Sequence, residues 1–282
     1  MNDINKFGYK VYRSVLSTAE INGLIKAVDE IEERQRKTGL ILDYEHSLGG
    51  IIQGDIFAHH ELEPYHYLLG NEKIASIIKG VAGDSPFYFG ESNIHVGIGG
   101  RGYHKDNRYS SRNTESIDYE SDYSLYRFAI YLHDSDLYSG GVKLVPGSNK
   151  IPSSKFYFKG INIDAKAGDI VVWKLTTTHS GNAIRLKLFP NLSLHPRLEE
   201  LMPSWMVRSN PIKRRSIFVV VGKQDRHLDN YLEYYAGRSD NQKFLAFNKP
   251  FEQNVIRING HAYNFKIPTL DYGSKWGLQC LK

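Results

Sequence analysis

Two residues able to hold a metal ion stand two positions apart in "GRGYHKDNRY", Gly100 to Tyr109: His104 and Asp106. An imidazole and a carboxylate suit a divalent ion, and in an extended segment residues i and i+2 point to the same face. The spacing alone carries little weight. With 11 histidines and 31 acidic residues among 282, about one His-x-acid triplet arises by chance. The chain has three: His59/Glu61, His104/Asp106 and His227/Asp229. A third donor must come from elsewhere, and "AGDIVVWKLTTTHSGN" offers His179 after a buried-looking strand and a short polar turn.

Two histidines and one carboxylate on one side of a metal leave coordination positions open. Non-haem Fe(II) oxygenases use that arrangement, with a 2-oxo acid and dioxygen taking the open positions. A 2-oxo acid with a distal carboxylate then needs a cation deep in the fold. "KRRSIFVVVG" supplies one: Arg214 and Ser216 share a strand face, so a guanidinium fork and a hydroxyl can meet one carboxylate. Arg185 and Arg215 are rivals for the role. Arg214 is preferred because it opens a β run and pairs with Ser216, whereas Arg185 lies in a polar loop just past His179.

These residues need elements to position them. "STAEINGLIKAVDEIEERQRKTG" reads as a helix capped by Ser17 or Thr18, with apolar residues at Ile21, Leu24, Ile25 and Val28, ended by Gly39. "NEKIASIIKGVAG" is a second, shorter helix. From Pro86 the texture changes to β runs divided by turns: "FYFGESNIHVGIGG", "YRFAIYLHD", "GGVKLVPGS", "GDIVVWKL" and "RRSIFVVVG". Strands so spaced, without helical patterns between them, predict an antiparallel barrel or sandwich. The helix pattern "DRHLDNYLEYYAG" opens a C-terminal extension. The expectation is a single domain, 1–282: a helical N-terminal layer (1–85), a β core (86–222) and the extension (223–282).

Composition narrows the function. Hydrophobic content of 41% and charged content of 24% are those of a globular protein. The one cysteine, Cys280, rules out an intramolecular disulfide and a cysteine zinc site, and agrees with a cytoplasmic location. A net charge of +5 without a concentrated basic stripe predicts no nucleic-acid partner and leans toward an anionic small molecule. No membrane span is expected, and "MNDINKFGYK" lacks the apolar core of a signal peptide.

The segments "YHKD", "YLHDSDLYSGGVKLVPGSNK", "AGDIVVWKLTTTHSGN" and "RRSIFVVV", in this order, resemble the phytanoyl-CoA dioxygenase-like family of Fe(II)/2-oxoglutarate-dependent oxygenases. The resemblance runs from about Phe7 to Gly222, since "FGYKVYRSVLSTAEINGLI" is also similar to the family's opening. It implies a mainly β fold with flanking helices around a double-stranded β-helix (jelly-roll or cupin-like) core. It also implies Fe(II) on His104, Asp106 and His179, with 2-oxoglutarate as co-substrate anchored by Arg214, and O2 as oxidant. The activity implied is hydroxylation of a C–H bond, with 2-oxoglutarate converted to succinate and CO2. Asn149 departs from the family's Pro-Gly-Ser-His signature at a structural position.

Three rival readings stand beside this one. A halogenase of the same fold would carry a small residue where Asp106 stands. A silent binding module would have no need for a complete triad and Arg214. A cupin-type sugar enzyme would cluster its histidines differently. Elsewhere, His227/Asp229 reads as a solvated helix start, His59/Glu61 as surface polarity, His133 as a strand-end turn and His195 as solvent-facing. The glycines of "HVGIGGRG" precede no helix and make no phosphate cradle. The loop after Asp106, "NRYSSRNTESIDYESDYS", is rich in polar groups and suits a polar or anionic substrate. The long "LKLFPNLSLHPRLEELMPSWMVRSNP" reads as a lid or substrate wall.

Overall fold

A computed structural model describes residues 4–237, apart from 39–41, 44–49, 55, 57–58, 63, 65–71, 84–85, 98–101, 108–115, 137, 154–159, 210 and 224. The expected extension beyond 237 and residues 108–115 of the polar loop after Asp106 lie outside the described residues.

A short helix α1 (Ile4–Phe7) leads into strand β1 (Tyr9–Tyr12), then α2 (Thr18–Thr38), β2 (Leu42–Asp43), β3 (Gly50–Gly54) and α3 (Glu72–Ala82). The core strands follow: β4 (Pro86–Val96), β5 (Tyr126–Tyr131), β6 (Gly141–Leu144), β7 (Ile161–Asn162), β8 (Ile170–Lys174) and β9 (His179–Ala183). After the four-residue helix α4 (Pro196–Glu199) come β10 (Arg215–Lys223) and α5 (Arg226–Gly237). Seven strands form one sheet in the order β1-β8-β5-β10-β4-β3-β2, and β7-β6-β9 form a second. Every pairing is antiparallel. This is the jelly-roll core expected from the β texture, with two facing sheets that are not closed into a barrel.

Alternation along the strands sorts the large sheet into two faces. On one face Ile94, Val96, Phe128, Ile130, Ile217 and Val219 pack with Leu24, Val28 and Ile31 of α2 and Ile74 and Ile78 of α3. On the other, Ala129, Tyr131, Trp173 and Phe218 meet Val142 and Leu144 of the small sheet. The second face lines the interior where the candidate residues gather. One end of that interior is stopped by α5, whose Leu228, Tyr231 and Leu232 pack on Phe87, Tyr123 and Leu125. Among the described residues, no helix is long and apolar enough to cross a membrane.

Both predicted N-terminal helices form. Ser17 and Glu20 make a reciprocal capping box at the start of α2: the Ser17 N–H donates to Oε2 at 2.7 Å, and the Glu20 N–H donates to Oγ at 3.3 Å. The N-terminal region is not helical throughout, however. Strands β1, β2 and β3 come from it and extend the large sheet at both edges. The segment "YKVY" pairs with β8 from Tyr9↔Trp173 to Tyr12↔Ile170. Its alternation is only four residues long, too short to stand out from the sequence.

The "AGD" turn before β8 ties that N-terminal strand down. Asp169 accepts hydrogen bonds from the Ser14 N–H at 2.8 Å, the Lys166 N–H at 2.9 Å and Arg13 Nη1 at 2.7 Å. Gly168 has φ +87°, and a Cβ there would lie 2.9 Å from both Leu16 O and Ile21 Cδ1. Backbone angle and space both demand glycine. Gly168→Ala should therefore cost about 1–3 kcal/mol through strain and overpacking. A melting temperature lowered by about 2–8 °C in a thermal scan would show it.

Candidate metal centre

His104 and His179 are joined through the backbone before their side chains are considered. The N–H of His104 donates to His179 O at 3.0 Å, and the return bond is 2.9 Å, an antiparallel bridge between the first residue of β9 and a segment outside the named strands. The next link, from the Asp106 N–H to Leu175 O at 3.0 Å, fixes the carboxylate's residue on the same side. The imidazole centroids of His104 and His179 end up 4.2 Å apart. Asp106 Oδ1 is 3.9 Å from His104 Nε2, and Oδ2 is 3.5 Å from His179 Nε2. One donor atom from each of the three lies within 4.8 Å of the others, the one such group among the described residues.

The donor set fits a divalent ion. Each imidazole engages a backbone carbonyl through Nδ1: His104 with Gly102 O at 2.9 Å, His179 with Thr177 O at 3.1 Å. That selects the tautomer whose Nε2 carries the free lone pair, as metal-binding histidines require. Burial pushes the pKa of His179 down to about 3 against the pull of Asp106, so the ring is neutral and able to bind a cation.

Lys105, between the two ligand candidates, points the other way. Its buried ammonium donates to Ser148 O at 2.7 Å and to Thr176 O. It thus clamps the Pro-Gly-Ser turn and the turn leading into His179 to the His104–Asp106 segment. Nothing in the sequence singles this lysine out, because both its partners are backbone carbonyls remote in the chain.

At the other end of the interior, three arginines were candidates for an anion, and the structure separates them. Arg185 is held by Ser135 O at 2.9 Å, Pro190 O at 3.3 Å and Asp164. Arg215 makes two hydrogen bonds with Asp29 of α2, at 2.6 and 2.8 Å, and a third with Lys213 O. Arg214 is 3% exposed, and its Nε and Nη1 have no hydrogen-bond partner. An unpaired buried guanidinium is costly, so the place is built for an anion.

The surroundings of Arg214 agree. Ser216 is buried with Oγ unpartnered, and in register it faces Tyr131 and His95. The Tyr131 hydroxyl and His133 Nε2 are also buried without partners. Gly140 brings its backbone close: a Cβ there would sit 3.4 Å from Arg214 Cδ and 3.9 Å from His133 Nε2. Trp173 and Phe218 link the two ends, with Trp173 5.3 Å from the His179 ring and 6.1 Å from Phe218.

Other histidines depart from expectation. His133 is a buried member of the arginine pocket, its Nδ1 3.1 Å from Arg215 O, because "YRFAIYLH" alternates inward through Arg127, Ala129, Tyr131 and His133. His59 is buried beside Arg34, at 2.9 Å, which also pairs with Glu61. His227 starts α5 as expected but is buried, its Nε2 3.3 Å from Asp122 Oδ1. His195 caps α4 and lies edge-on to Tyr103 at 5.2 Å.

The long segment before β10 is fastened down. Leu186 bridges to Val207, and Glu199 of α4 forms a buried ion pair with Lys143 of β6. Its apolar side chains nonetheless face out, Leu188 at 80% and Trp205 at 70% exposure.

With this geometry in hand, a family model for phytanoyl-CoA dioxygenase (PhyH) matches residues 4–185. No curated protein sequence matches the chain. Among solved structures, the epimerase SnoN in complex with Fe3+, alpha ketoglutarate and nogalamycin RO is similar, with TM-score 0.53 and 14% identity over 78% of this chain and 80% of that one. EctD from S. alaskensis, with 2-oxoglutarate and 5-hydroxyectoine, has TM-score 0.53 and 12% identity over 78% and 73%. The carbocyclase SnoK from nogalamycin biosynthesis has TM-score 0.51 and 18% identity over 80% and 87%. Identities this low speak to a common fold.

The acid limb of stability probes the arginine pocket. Burial, then the nearby Arg214 charge, pushes the pKa of His133 down to about 4 from the usual 6.5. Between those values the unfolded chain binds the proton and the folded one does not, so stability falls as pH drops from 6.5 toward 4. His133→Gln should flatten that slope by at most about 3 kcal/mol, read from denaturant unfolding of the metal-free protein at several pH values.

Proposed function

We propose that this chain, which belongs to the phytanoyl-CoA dioxygenase (PhyH) family, is an Fe(II)- and 2-oxoglutarate-dependent oxygenase that hydroxylates a C–H bond of a small polar or anionic metabolite. One observation carries the reading. A single interior has the His104–Asp106–His179 cluster toward one end and, at the other, a buried arginine with two unpartnered nitrogens. His104, Asp106 and His179 would hold the iron, while Arg214 and Ser216 would take the distal carboxylate of 2-oxoglutarate. When bound, Fe(II) with 2-oxoglutarate and dioxygen supplies the oxidant, and 2-oxoglutarate leaves as succinate and CO2.

The protein's own residues bind, orient and shield. The Nδ1 hydrogen bonds aim both imidazoles. Arg214 offers a charge that water would otherwise weaken, in a pocket walled by Tyr131, His133 and Ser216. Trp173 and Phe218 form an apolar wall that keeps water from the space between the two ends. Asp106 occupies the position a halogenase leaves to a halide, which favours oxygen insertion. The single cysteine supports a cytoplasmic setting, and the packing of α2, α3 and α5 on the sheet that carries the site supports one oxygenase domain.

Metal-stimulated conversion of 2-oxoglutarate to succinate tests the reading, and a catalytically silent binding module would show none. Arg214→Ala should raise the 2-oxoglutarate concentration for half-maximal turnover by about ten- to a hundredfold, the worth of a buried charged hydrogen bond. Arg185→Ala should lower stability without that selective shift; the reverse pattern would transfer the role. For Asp106→Ala, product mass spectrometry in the presence of chloride should show hydroxylation lost and chlorination at most a trace. Undiminished hydroxylation would remove Asp106 from the site.

A further inference from the structure

Behind Asp106 stands a second buried arginine. Arg127 lies on β5, in register with Trp173 of β8 and Val220 of β10, and its guanidinium faces the interior. Its Nε is 2.9 Å from Asp106 Oδ2, and its Nη2 donates to Glu91 Oε1 at 2.8 Å. Glu91, on β4, is buried too. One cation therefore bridges the buried carboxylate of Glu91 and the half-buried one of Asp106, which belongs to the His–Asp–His cluster.

A structural ion pair does not account for this placement. Burying an arginine with one glutamate is at best neutral for stability compared with apolar packing. The arginine edge laid against Asp106 acts on the cluster itself. That edge lies 2.9 Å from Oδ2, the oxygen 3.5 Å from His179 Nε2, while Oδ1 is 3.9 Å from His104 Nε2.

Helix α5 backs the bridge along two routes. Tyr231 is buried beside Glu91 and Arg127. Asn230 Nδ2 donates to Asp118 Oδ1 at 3.1 Å, and Asp118 Oδ2 accepts from Asn107 Nδ2 at 2.8 Å, one residue past Asp106.

We propose that Arg127 is a positioning residue for Asp106, fixed in turn by Glu91, and that it holds the carboxylate in the orientation in which Oδ1 faces His104 and Oδ2 faces His179. This rests on reading the cluster as an Fe(II)/2-oxoglutarate centre. A carboxylate fixed in that orientation would meet the metal in one defined way. Without Arg127 it would be free to rotate, and the binding of the co-substrate beside it would suffer.

Anaerobic titration with Co(II), followed by 2-oxoglutarate, tests the proposal, because the visible absorption of Co(II) reports its coordination number. Wild type should bind Co(II) and change spectrum on adding 2-oxoglutarate. Arg127→Met should alter the Co(II) spectrum and need at least about tenfold more 2-oxoglutarate, with a smaller change in Co(II) affinity. Arg127→Lys should recover part of the loss, and Glu91→Gln should shift the same way by less. A folded Arg127→Met with wild-type spectrum and 2-oxoglutarate dependence overturns the assignment. Should that variant fail to fold, wild-type behaviour of Glu91→Gln overturns it equally. Wild type that takes up neither Co(II) nor 2-oxoglutarate would instead overturn the oxygenase reading.

Discussion

The two backbone hydrogen bonds between His104 and His179 are the constraint on which the centre depends. They join residues far apart in the chain and do so without using either side chain. Once the bridge is made, the imidazoles have little choice but to lie together, and the Asp106 N–H on Leu175 O brings the carboxylate to them. Lys105 fastens the same segment to the Pro-Gly-Ser turn and to the turn before His179. The donor cluster is thus positioned by main-chain hydrogen bonds that use neither imidazole nor carboxylate, which lowers the cost of organising ligands on binding.

A second constraint is the pleat of β10. Lys213, Arg214 and Arg215 are three cations in a row, and alternation cannot send them all the same way. Lys213 and Arg215 reach α2, where Glu32 and Asp29 meet them at 2.5–2.6 Å. Arg214 is thereby turned inward, where its Nε and Nη1 find no protein acceptor. The helical layer does more than cover the sheet: its acids hold the two neighbours of Arg214. The family match ends at residue 185, before this strand, so the choice of Arg214 over Arg185 stands on geometry.

How much of this was legible in the sequence follows from the range of each interaction. His104, Asp106 and the α2 cap are local patterns and can be read from i+2 and i+3 spacing. His179 and Arg214 were accessible because each adjoins an unmistakable β run. Strand β9, "HSGNA", was not accessible: it has no branched apolar residue, and its pairing with β6 creates it. Arg127 and Glu91 were invisible as a pair because they are 36 residues apart and each reads as an ordinary charged residue. A signal did exist in "YRFAIYLH", where an arginine takes an inward position of an otherwise apolar strand. A buried charge of that kind needs a partner, and asking for it would have led toward Asp106. His227 shows the converse error. Its helix start was read correctly, but the packing of α5 into the end of the interior, which buries the ring, is tertiary.

The segment from Leu186 to Lys213 brings the two kinds of information together. Its prolines and apolar residues announced a functional loop, and the structure shows a backbone tied by the Leu186–Val207 bridge near its ends and by the Lys143–Glu199 pair in its middle. Burial pushes the lysine's pKa down and the glutamate's up, so each opposes its own charge and is held by the other. Such a pair adds little net stability, but separating its members leaves a buried charge exposed to neither water nor partner. Lifting α4 off β6 would carry that penalty, and β6 also pairs with β9, which begins at His179. The geometry therefore describes a wall registered to the strand that begins at His179, with Leu188 and Trp205 facing outward, away from the contacts that hold that register.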